Sequence, residues 1–268
     1  MPRESINGTN LYYEVHGTSS ENLLFIHSGL VDSRVWREQI APLSKAYRVI
    51  VYDIRGFGRS DLPTAAFRNV DDVKLLMDHL EIPRAHLVGC SMGGAIALDF
   101  AATYPELVQS LTLSGPSLNG YTATRTDETS EIRNLNTHSY ILRDERFEEA
   151  VDGLLNDPIW RQSSPEKQEF LRTLSLAQDM RWLFQPYWIP HSPSTAERLS
   201  EISQPVLLLL GDREPGTVYE VADILMEKLP QVTRVDIPNA GHLPCLEQPE
   251  AFNQALFTFL EPLSHAMK

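Results

Sequence analysis

Residues 89–93 read Gly-Cys-Ser-Met-Gly, and their types and spacing fit nucleophilic catalysis. They lie between an apolar stretch, 86–88, and a helix-like stretch, 95–102. A serine on a tight strand-to-helix turn is held in a strained backbone conformation that points its hydroxyl out of the sheet. Glycines two residues to either side leave room for the crossing backbones. The pattern therefore predicts Ser91 as a nucleophile.

A nucleophilic serine needs two partners from later in the chain. Its hydroxyl is weakly reactive at neutral pH, so Ser91 requires a base within hydrogen-bond reach and an acid that orients the base. With such a turn the chain order is serine, acid, histidine. Of the eight histidines, His242 fits best, because its loop, 239–244, separates the last predicted strand from the final helix. The alternative for His242 is a loop histidine satisfied by backbone groups.

Glu214 is the predicted acid, and Asp212 remains the alternative. Both belong to the segment Gly-Asp-Arg-Glu, 211–214, which follows the apolar run 206–210. Either carboxylate can orient an imidazole and stabilise the imidazolium that develops. If Glu214 has this role, we expect Asp212 to cap the loop or to pair with Arg213.

Attack on a carbonyl group produces an oxyanion, which backbone N–H groups must stabilise. Met92, directly after the nucleophile, is the first predicted donor. We expect the second donor in the segment 27–30, after the apolar run 23–26, with Gly29 favoured and Leu30 as the alternative.

Short strands and helical patterns alternate along most of the chain. The predicted strands are 5–6, 11–15, 23–26, 48–52, 86–88, 110–113, 206–210 and 233–237. Asn7 and Gly8 predict a hairpin between the first two strands, and hence an antiparallel edge. The segments 70–80 and 250–260 have the 3.6-residue period of helices. This alternation predicts a mainly parallel, eight-stranded sheet with helices on both faces.

The alternation stops between residues 118 and 199, where the sequence is polar and helix-prone. We interpret 118–199 as an inserted helical cap and 1–117 with 200–268 as the core domain. The aromatic residues of the insertion include Trp160, Phe170, Trp182, Phe184, Tyr187 and Trp188. They are expected either to form an apolar substrate pocket or to be part of the core.

Composition argues against several classes of partner. Lys and Arg total 23 and Asp and Glu total 36, which gives 23 − 36 = −13. Without a basic cluster, this charge disfavours nucleic acid and anionic membranes. No signal-peptide pattern and no run long enough to cross a bilayer are found. The two cysteines, Cys90 and Cys245, favour a reduced, cytoplasmic protein, in which Cys90 is a small buried residue rather than a nucleophile.

Together these segments resemble the α/β-hydrolase superfamily, in particular its cap-bearing serine hydrolases, which include esterases, lactonases and carbon–carbon bond hydrolases. The resemblance spans nearly the whole chain and includes the segment 27–30, Trp36, the loop 53–60, the serine turn, the acid loop and the histidine loop. It implies the α/β-hydrolase fold, and it implies that Arg55 tethers neighbouring loops.

Two positions depart from the usual family pattern, which has His-Gly in the oxyanion loop and aspartate as the acid. This chain has Ser28 and Glu214 there. Ser28 is similar to the serine of enol-lactone hydrolases, and its hydroxyl either donates a third hydrogen bond to substrate or braces the loop, with the brace favoured. His27 is expected to brace the loop rather than to act as a second base.

Three hypotheses about function follow. The first is a cofactor-independent and metal-free serine hydrolase that cleaves a small, largely apolar ester or lactone as a monomer or homodimer. The second keeps the same catalytic residues for carbon–carbon bond hydrolysis or for cofactor-free lyase or oxygenase chemistry. The third is a non-catalytic receptor for a small ligand. A serine nucleophile argues against haloalkane dehalogenases and epoxide hydrolases, which resemble this fold but use aspartate.

Overall fold

The computed structural model describes residues 3–122 and 147–265, and its centre is one sheet. The strands are β1 (Arg3–Ile6), β2 (Thr9–His16), β3 (Asn22–Ile26), β4 (Arg48–Tyr52), β5 (Ala85–Cys90), β6 (Val108–Ser114), β7 (Val206–Gly211) and β8 (Val232–Ile237). Each predicted strand falls within one of them. The eight-stranded sheet of the sequence prediction is therefore confirmed.

The strand order brings most of the loops that carry candidate residues to one edge of the sheet. The order is β1-β2-β4-β3-β5-β6-β7-β8. The pairs β1–β2 and β2–β4 are antiparallel, and all the others are parallel. The carboxyl ends of β3, β5, β6, β7 and β8 therefore face the same way, and the loops that follow them meet there.

Helices cover both faces of this sheet. They are α1 (Arg37–Leu43), α2 (Asn69–His79), α3 (Met92–Thr103), α4 (Phe147–Leu155), α5 (Pro165–Leu176), α6 (Thr195–Arg198), α7 (Gly216–Lys228), α8 (Pro244–Glu247) and α9 (Pro249–His265). No helix in the described ranges has the length and apolar character needed to span a membrane.

Two apolar clusters show how the strands alternate between the faces. In β3, Leu24 and Ile26 belong to a cluster with residues of α2, α3 and α7, whereas Leu23 and Phe25 belong to a cluster with residues of α1 and α9. Successive side chains of a strand point to opposite faces. An almost continuous apolar strand is thus explained by burial on both sides.

The segment between β6 and β7 contains α4, α5, α6 and the 3-10 helices Pro158–Trp160 and Met180–Phe184. Helices α4 and α5 share the second cluster with the sheet through residues such as Leu154 and Leu171. Residues 123–146 of the predicted cap lie outside the described residues. The limits of the cap therefore remain a prediction.

Both ends of this inserted segment are attached to one buried carboxylate, that of Asp99 in α3. Asn119 Nδ2 donates a hydrogen bond to its Oδ2 over 2.6 Å, and Thr195 Oγ1 donates one to its Oδ1. The segment thus leaves and rejoins the sheet against the helix that follows Ser91.

Arg55 connects three parts of the core. Its guanidinium donates two hydrogen bonds to Asp72 of α2, at 2.9 and 2.6 Å, and one to Asn7 O, at 2.9 Å. The loop after β4 is thereby tied to α2 and to the β1–β2 hairpin. The contacts match the tethering that the family resemblance implied.

Candidate active site

Ser91 occupies a strained turn between β5 and α3. Its φ is 52° and its ψ is −115°, a conformation that is costly for a residue with a side chain. The Ser91 N–H donates to Ser114 O over 2.9 Å, while Ser91 O accepts from the N–H groups of Ala95 and Ser117, each over 3.1 Å. The backbone bonds to β6 and α3 hold the strain in place.

The two glycines of the motif are required by close contacts between backbones. A Cβ on Gly93 would overlap the carbonyl oxygen of Ile26 at the end of β3. A Cβ on Gly89 would overlap the carbonyl oxygen of Gly93. The spacing in the sequence therefore reflects where α3 crosses β5 and β3.

His242 lies in the loop between β8 and α8 and is 6% exposed. Its backbone N–H donates to Ile159 O over 2.9 Å, and its ring forms a T-shaped pair with the ring of Trp160, with centroids 5.1 Å apart. The thiol of Cys90 lies 3.7 Å from His242 O. The loop 239–244, called the base loop below after the predicted role of His242, is thus adjacent to the residue that precedes Ser91.

The structure joins His242 to Glu214 rather than to Asp212. His242 Nδ1 and Glu214 Oε2 are 2.7 Å apart, and the Glu214 side chain is fully buried. Because an ionised carboxylate only accepts hydrogen bonds, Nδ1 carries the hydrogen and Nε2 is the basic nitrogen. This is the tautomer that a general base requires.

Asp212 caps the base loop instead. Its carboxylate accepts hydrogen bonds from the N–H groups of Asn239, at 2.8 Å, and Ala240, at 3.1 Å. The Asp212 side chain is 47% exposed and lies 4.0 Å from Arg213. The cap and the proximity to Arg213 are the two features that the sequence analysis expected of Asp212 if Glu214 is the acid.

Gly115, which the sequence analysis did not identify, lies against the pair of His242 and Glu214. It follows β6 with a φ of 49°. A Cβ there would lie 2.5 Å from Glu214 Oε1 and 3.1 Å from His242 Nδ1. The available signal was a Gly-Pro pair, 115–116, shortly after the predicted strand 110–113.

The candidate oxyanion donors lie at neighbouring ends of α3 and β3. Met92 is the first residue of α3, where N–H groups lack an intrahelical acceptor. The start of segment 27–30 lies beside the start of α3, because a Cβ on Gly93 would overlap the carbonyl oxygens of Ile26 and His27. Gly29 has space around its Cα, whereas Leu30 has a φ of 65°. The roles of Met92, Gly29 and Leu30 remain predictions.

His27 braces this loop through both ring nitrogens. Nε2 accepts a hydrogen bond from Ile54 N–H over 2.9 Å, so Nδ1 carries the hydrogen and donates to Ser28 O over 2.7 Å. Complete burial lowers the pKa of His27. A second base is therefore not available here, and the neighbouring Ser28 is buried as well.

The two cysteines are buried and free. Burial raises the pKa of Cys90 and of Cys245 well above that of an exposed thiol. Both thiols are therefore uncharged at neutral pH and behave as small apolar side chains. In the two described ranges, no three His, Cys, Asp or Glu side chains are grouped so that they would hold a metal ion.

Comparison with known proteins gives a consistent result. A family model described as the alpha/beta hydrolase family matches residues 23–255. 3-Oxoadipate enol-lactonase 1 of Acinetobacter baylyi is 27% identical over 96% of this chain and 95% of its own. Carboxylesterase YbfK of Bacillus subtilis is 29% identical over 89% and 80% of the two chains. The 2-hydroxy-6-oxononadienedioate/2-hydroxy-6-oxononatrienedioate hydrolase of Paraburkholderia phymatum is 30% identical over 94% of this chain and 92% of its own.

Proposed function

The chain belongs to the alpha/beta hydrolase family, and we propose that it cleaves a small, largely apolar carboxylic ester or lactone through an acyl-enzyme formed on Ser91. The observation that carries this proposal is the buried hydrogen bond between His242 and Glu214, in a loop that adjoins the strained serine turn. The arrangement supplies a nucleophile, a base in the correct tautomer and an acid that orients it.

In the first half of the reaction, Ser91 Oγ attacks the carbonyl carbon while His242 Nε2 takes its proton. The negative charge on the former carbonyl oxygen is stabilised by the N–H groups of Met92 and Gly29. Glu214 stabilises the imidazolium without accepting its proton. Collapse of the tetrahedral intermediate breaks the ester C–O bond, and His242 protonates the departing oxygen.

In the second half, water hydrolyses the acyl-enzyme. His242, neutral again, takes a proton from water as the oxygen attacks the acyl carbon. When the second tetrahedral intermediate collapses, the bond between the acyl carbon and Ser91 Oγ breaks, His242 gives its proton to Ser91 Oγ, and the carboxylic acid leaves. No cofactor takes part in either half.

The side chains beside the nucleophile support an apolar substrate. Leu30 and Met92 are partly buried and pack against the apolar clusters, with part of each surface left open. Trp160 contributes a third apolar surface beside His242. The substrate is expected to be a small molecule, and the free thiols of Cys90 and Cys245 fit the reducing conditions of the cytoplasm.

The decisive experiment is labelling with a serine-directed fluorophosphonate, followed by peptide mapping with mass spectrometry. We expect the label on Ser91 and its loss in Ser91→Ala, together with loss of hydrolysis of a p-nitrophenyl ester. Ser203→Ala, which removes an exposed hydroxyl before β7, should retain both. Labelling of another serine, or an active Ser91→Ala protein, would refute the proposal.

Carbon–carbon bond hydrolysis is the second candidate. It is supported by the relative at 30% identity that is named a 2-hydroxy-6-oxononadienedioate/2-hydroxy-6-oxononatrienedioate hydrolase. A substrate panel separates the two. Turnover of aryl esters and lactones, with a burst and a trapped acyl-Ser91, supports the first candidate. Turnover restricted to vinylogous diketones supports the second. Tight ligand binding without any turnover would support the receptor hypothesis instead.

A further inference from the structure

A second buried carboxylate, that of Glu247, lies beside the loops of His242 and Glu214 and has no part in the steps above. Glu247 is the last residue of α8, and its side chain has no exposed surface. A buried charge is generally less favourable than an apolar side chain of the same volume. The position of Glu247 therefore requires an explanation other than core packing.

One oxygen of this carboxylate holds the base loop. Glu247 Oε1 accepts a hydrogen bond from the N–H of Gly241 over 2.9 Å. Gly241 directly precedes His242, whose own N–H donates to Ile159 O over 2.9 Å. The backbone of the base is thus fixed by two consecutive N–H groups.

The other oxygen holds the acid loop. Glu247 Oε2 accepts a hydrogen bond from Arg213 Nη2 over 2.6 Å. Arg213 directly precedes Glu214, and its backbone N–H donates to Ala240 O over 3.0 Å. One carboxylate therefore joins the residue before the base to the residue before the acid.

We propose that Glu247 is a positioning residue that keeps His242 and Glu214 in their mutual geometry by binding Gly241 and Arg213. The inference rests on the proposed function, because it assigns Glu247 a role through the base and the acid of that reaction. The same residue also contacts the inserted segment, since its carbonyl oxygen accepts hydrogen bonds from Ser163 Oγ, at 3.2 Å, and Lys167 Nζ, at 3.1 Å.

The electrostatic surroundings of Glu247 give the proposal a measurable consequence. Burial raises the pKa of Glu247 to about 7, against the opposing effects of the Gly241 N–H and Arg213. The charged or titratable groups around it are Arg213, Glu214, His242, Cys245 and Lys167. In Glu247→Gln, the Arg213 cation keeps Asp212, at 4.0 Å, as its anionic partner among the described residues, together with the neutral Arg161 O at 3.4 Å. The extra positive charge then disfavours the imidazolium of His242.

The test measures the pH dependence of fluorophosphonate labelling at Ser91 and of kcat and KM for a p-nitrophenyl ester. For Glu247→Gln we expect kcat and the labelling rate to fall about 10- to 100-fold with KM changed less than about threefold, because a small displacement of the base affects the chemical step. We expect the acidic limb of the pH profile to move to lower pH by about half a unit.

Arg213→Gln should move the acidic limb in the opposite direction, because it removes a cation whose charge disfavours the imidazolium of His242. The double variant should have its acidic limb close to that of Arg213→Gln, because without Arg213 the Glu247 carboxyl is already neutral over this pH range, while kcat stays low. A purely structural role would lower kcat without these opposite shifts. Shifts of the same sign in both single variants would therefore overturn the proposal.

Glu250→Gln is the matched control, since it makes the same chemical change at an exposed position three residues later. If Glu247→Gln behaves like Glu250→Gln while the unmodified protein is labelled at Ser91, the positioning role is wrong and the hydrolase proposal stands. If the unmodified protein is not labelled at Ser91, the hydrolase proposal itself is wrong.

Discussion

Glu214 Oε1 is buried where a side chain on Gly115 would lie, and within the described residues it accepts no hydrogen bond. The other oxygen, Oε2, is bonded to His242 Nδ1. A buried carboxylate has lost its hydration, and one hydrogen bond from a neutral donor compensates for this loss only in part. Its interaction with His242 therefore strengthens most when the imidazole becomes positively charged, as it does in the transition state of the proposed reaction.

Replacing the acid should affect the rate far more than replacing its neighbour. We expect Glu214→Gln to lower kcat by on the order of 10³- to 10⁴-fold, because the amide no longer fixes the tautomer or stabilises the imidazolium. Asp212→Asn removes an exposed cap and should lower kcat less than about 10-fold. Steady-state hydrolysis of a p-nitrophenyl ester by both variants tests this, and the reverse order would assign the acid to Asp212.

A methyl group at residue 115 should displace the catalytic pair. We expect Gly115→Ala to lower kcat by at least about 10-fold, because its Cβ collides with Glu214 and approaches His242 Nδ1. Gly8→Ala is the matched control: its φ is also positive, at 69°, but no atom lies within 4 Å of the added Cβ. Both changes introduce backbone strain of about 1–2 kcal/mol. Measuring kcat and the thermal unfolding temperature of both variants separates the effect of the collision from that of the strain. Equal losses of kcat in the two variants would contradict the prediction.

His86 should make folding stability depend on pH. It is buried beside Ser110, with Nδ1 and Ser110 Oγ 2.7 Å apart, and burial lowers its pKa from 6.5 to about 4, although Glu21 opposes the shift. The unfolded chain therefore takes up a proton first as the pH falls. The stabilising contribution is complete above pH 6.5 and declines by about 3 kcal/mol as the pH falls to 4.

His86→Gln isolates that contribution, because glutamine stays neutral and retains hydrogen-bonding groups. Urea unfolding of both proteins at pH 7, 5.5 and 4 should show a smaller loss of unfolding free energy for the variant. Parallel pH dependences would show that the burial of His86 is not the cause.

Trp160 should contribute to the rate through the orientation of the base. Trp160→Ala removes the ring that packs against the His242 imidazole and limits its movement. We expect kcat to fall about 10-fold with a smaller change in KM. Trp160→Phe retains an aromatic ring and should stay within about threefold of the original kcat. An alanine variant with unchanged kcat would show that the backbone bond to Ile159 is sufficient.

The sequence was sufficient for the fold because its signals are local. The strands are short apolar runs. The serine turn has glycines within its own five residues, and Gly93 is required because it packs directly against β3. Glu214 was favoured over Asp212, and the structure brings Glu214 to His242. The chemical roles of these residues remain proposals.

Residues that act across the chain could not be identified in the same way. In the sequence, Glu247 is a single acidic residue shortly before the predicted helix 250–260, and acidic residues are usually exposed. Its bonds to Gly241 and Arg213 depend on how β7 and β8 lie side by side. Trp160 belongs to a segment whose path relative to the sheet has no local signature. The positions of Glu247 and Trp160 result from long-range packing, which the periodicity of the sequence does not reveal.

The hydrogen bond from His242 N–H to Ile159 O has a consequence for any opening of the inserted segment. Residues 158–160 cannot lift away from the sheet without releasing the backbone of the base. In the proposed mechanism, a wide swing of residues 158–160 would therefore stop proton transfer by His242 as well as admit solvent. A chimera that exchanges the insertion for that of a relative must provide a carbonyl acceptor at the same point, or its histidine will be left without support.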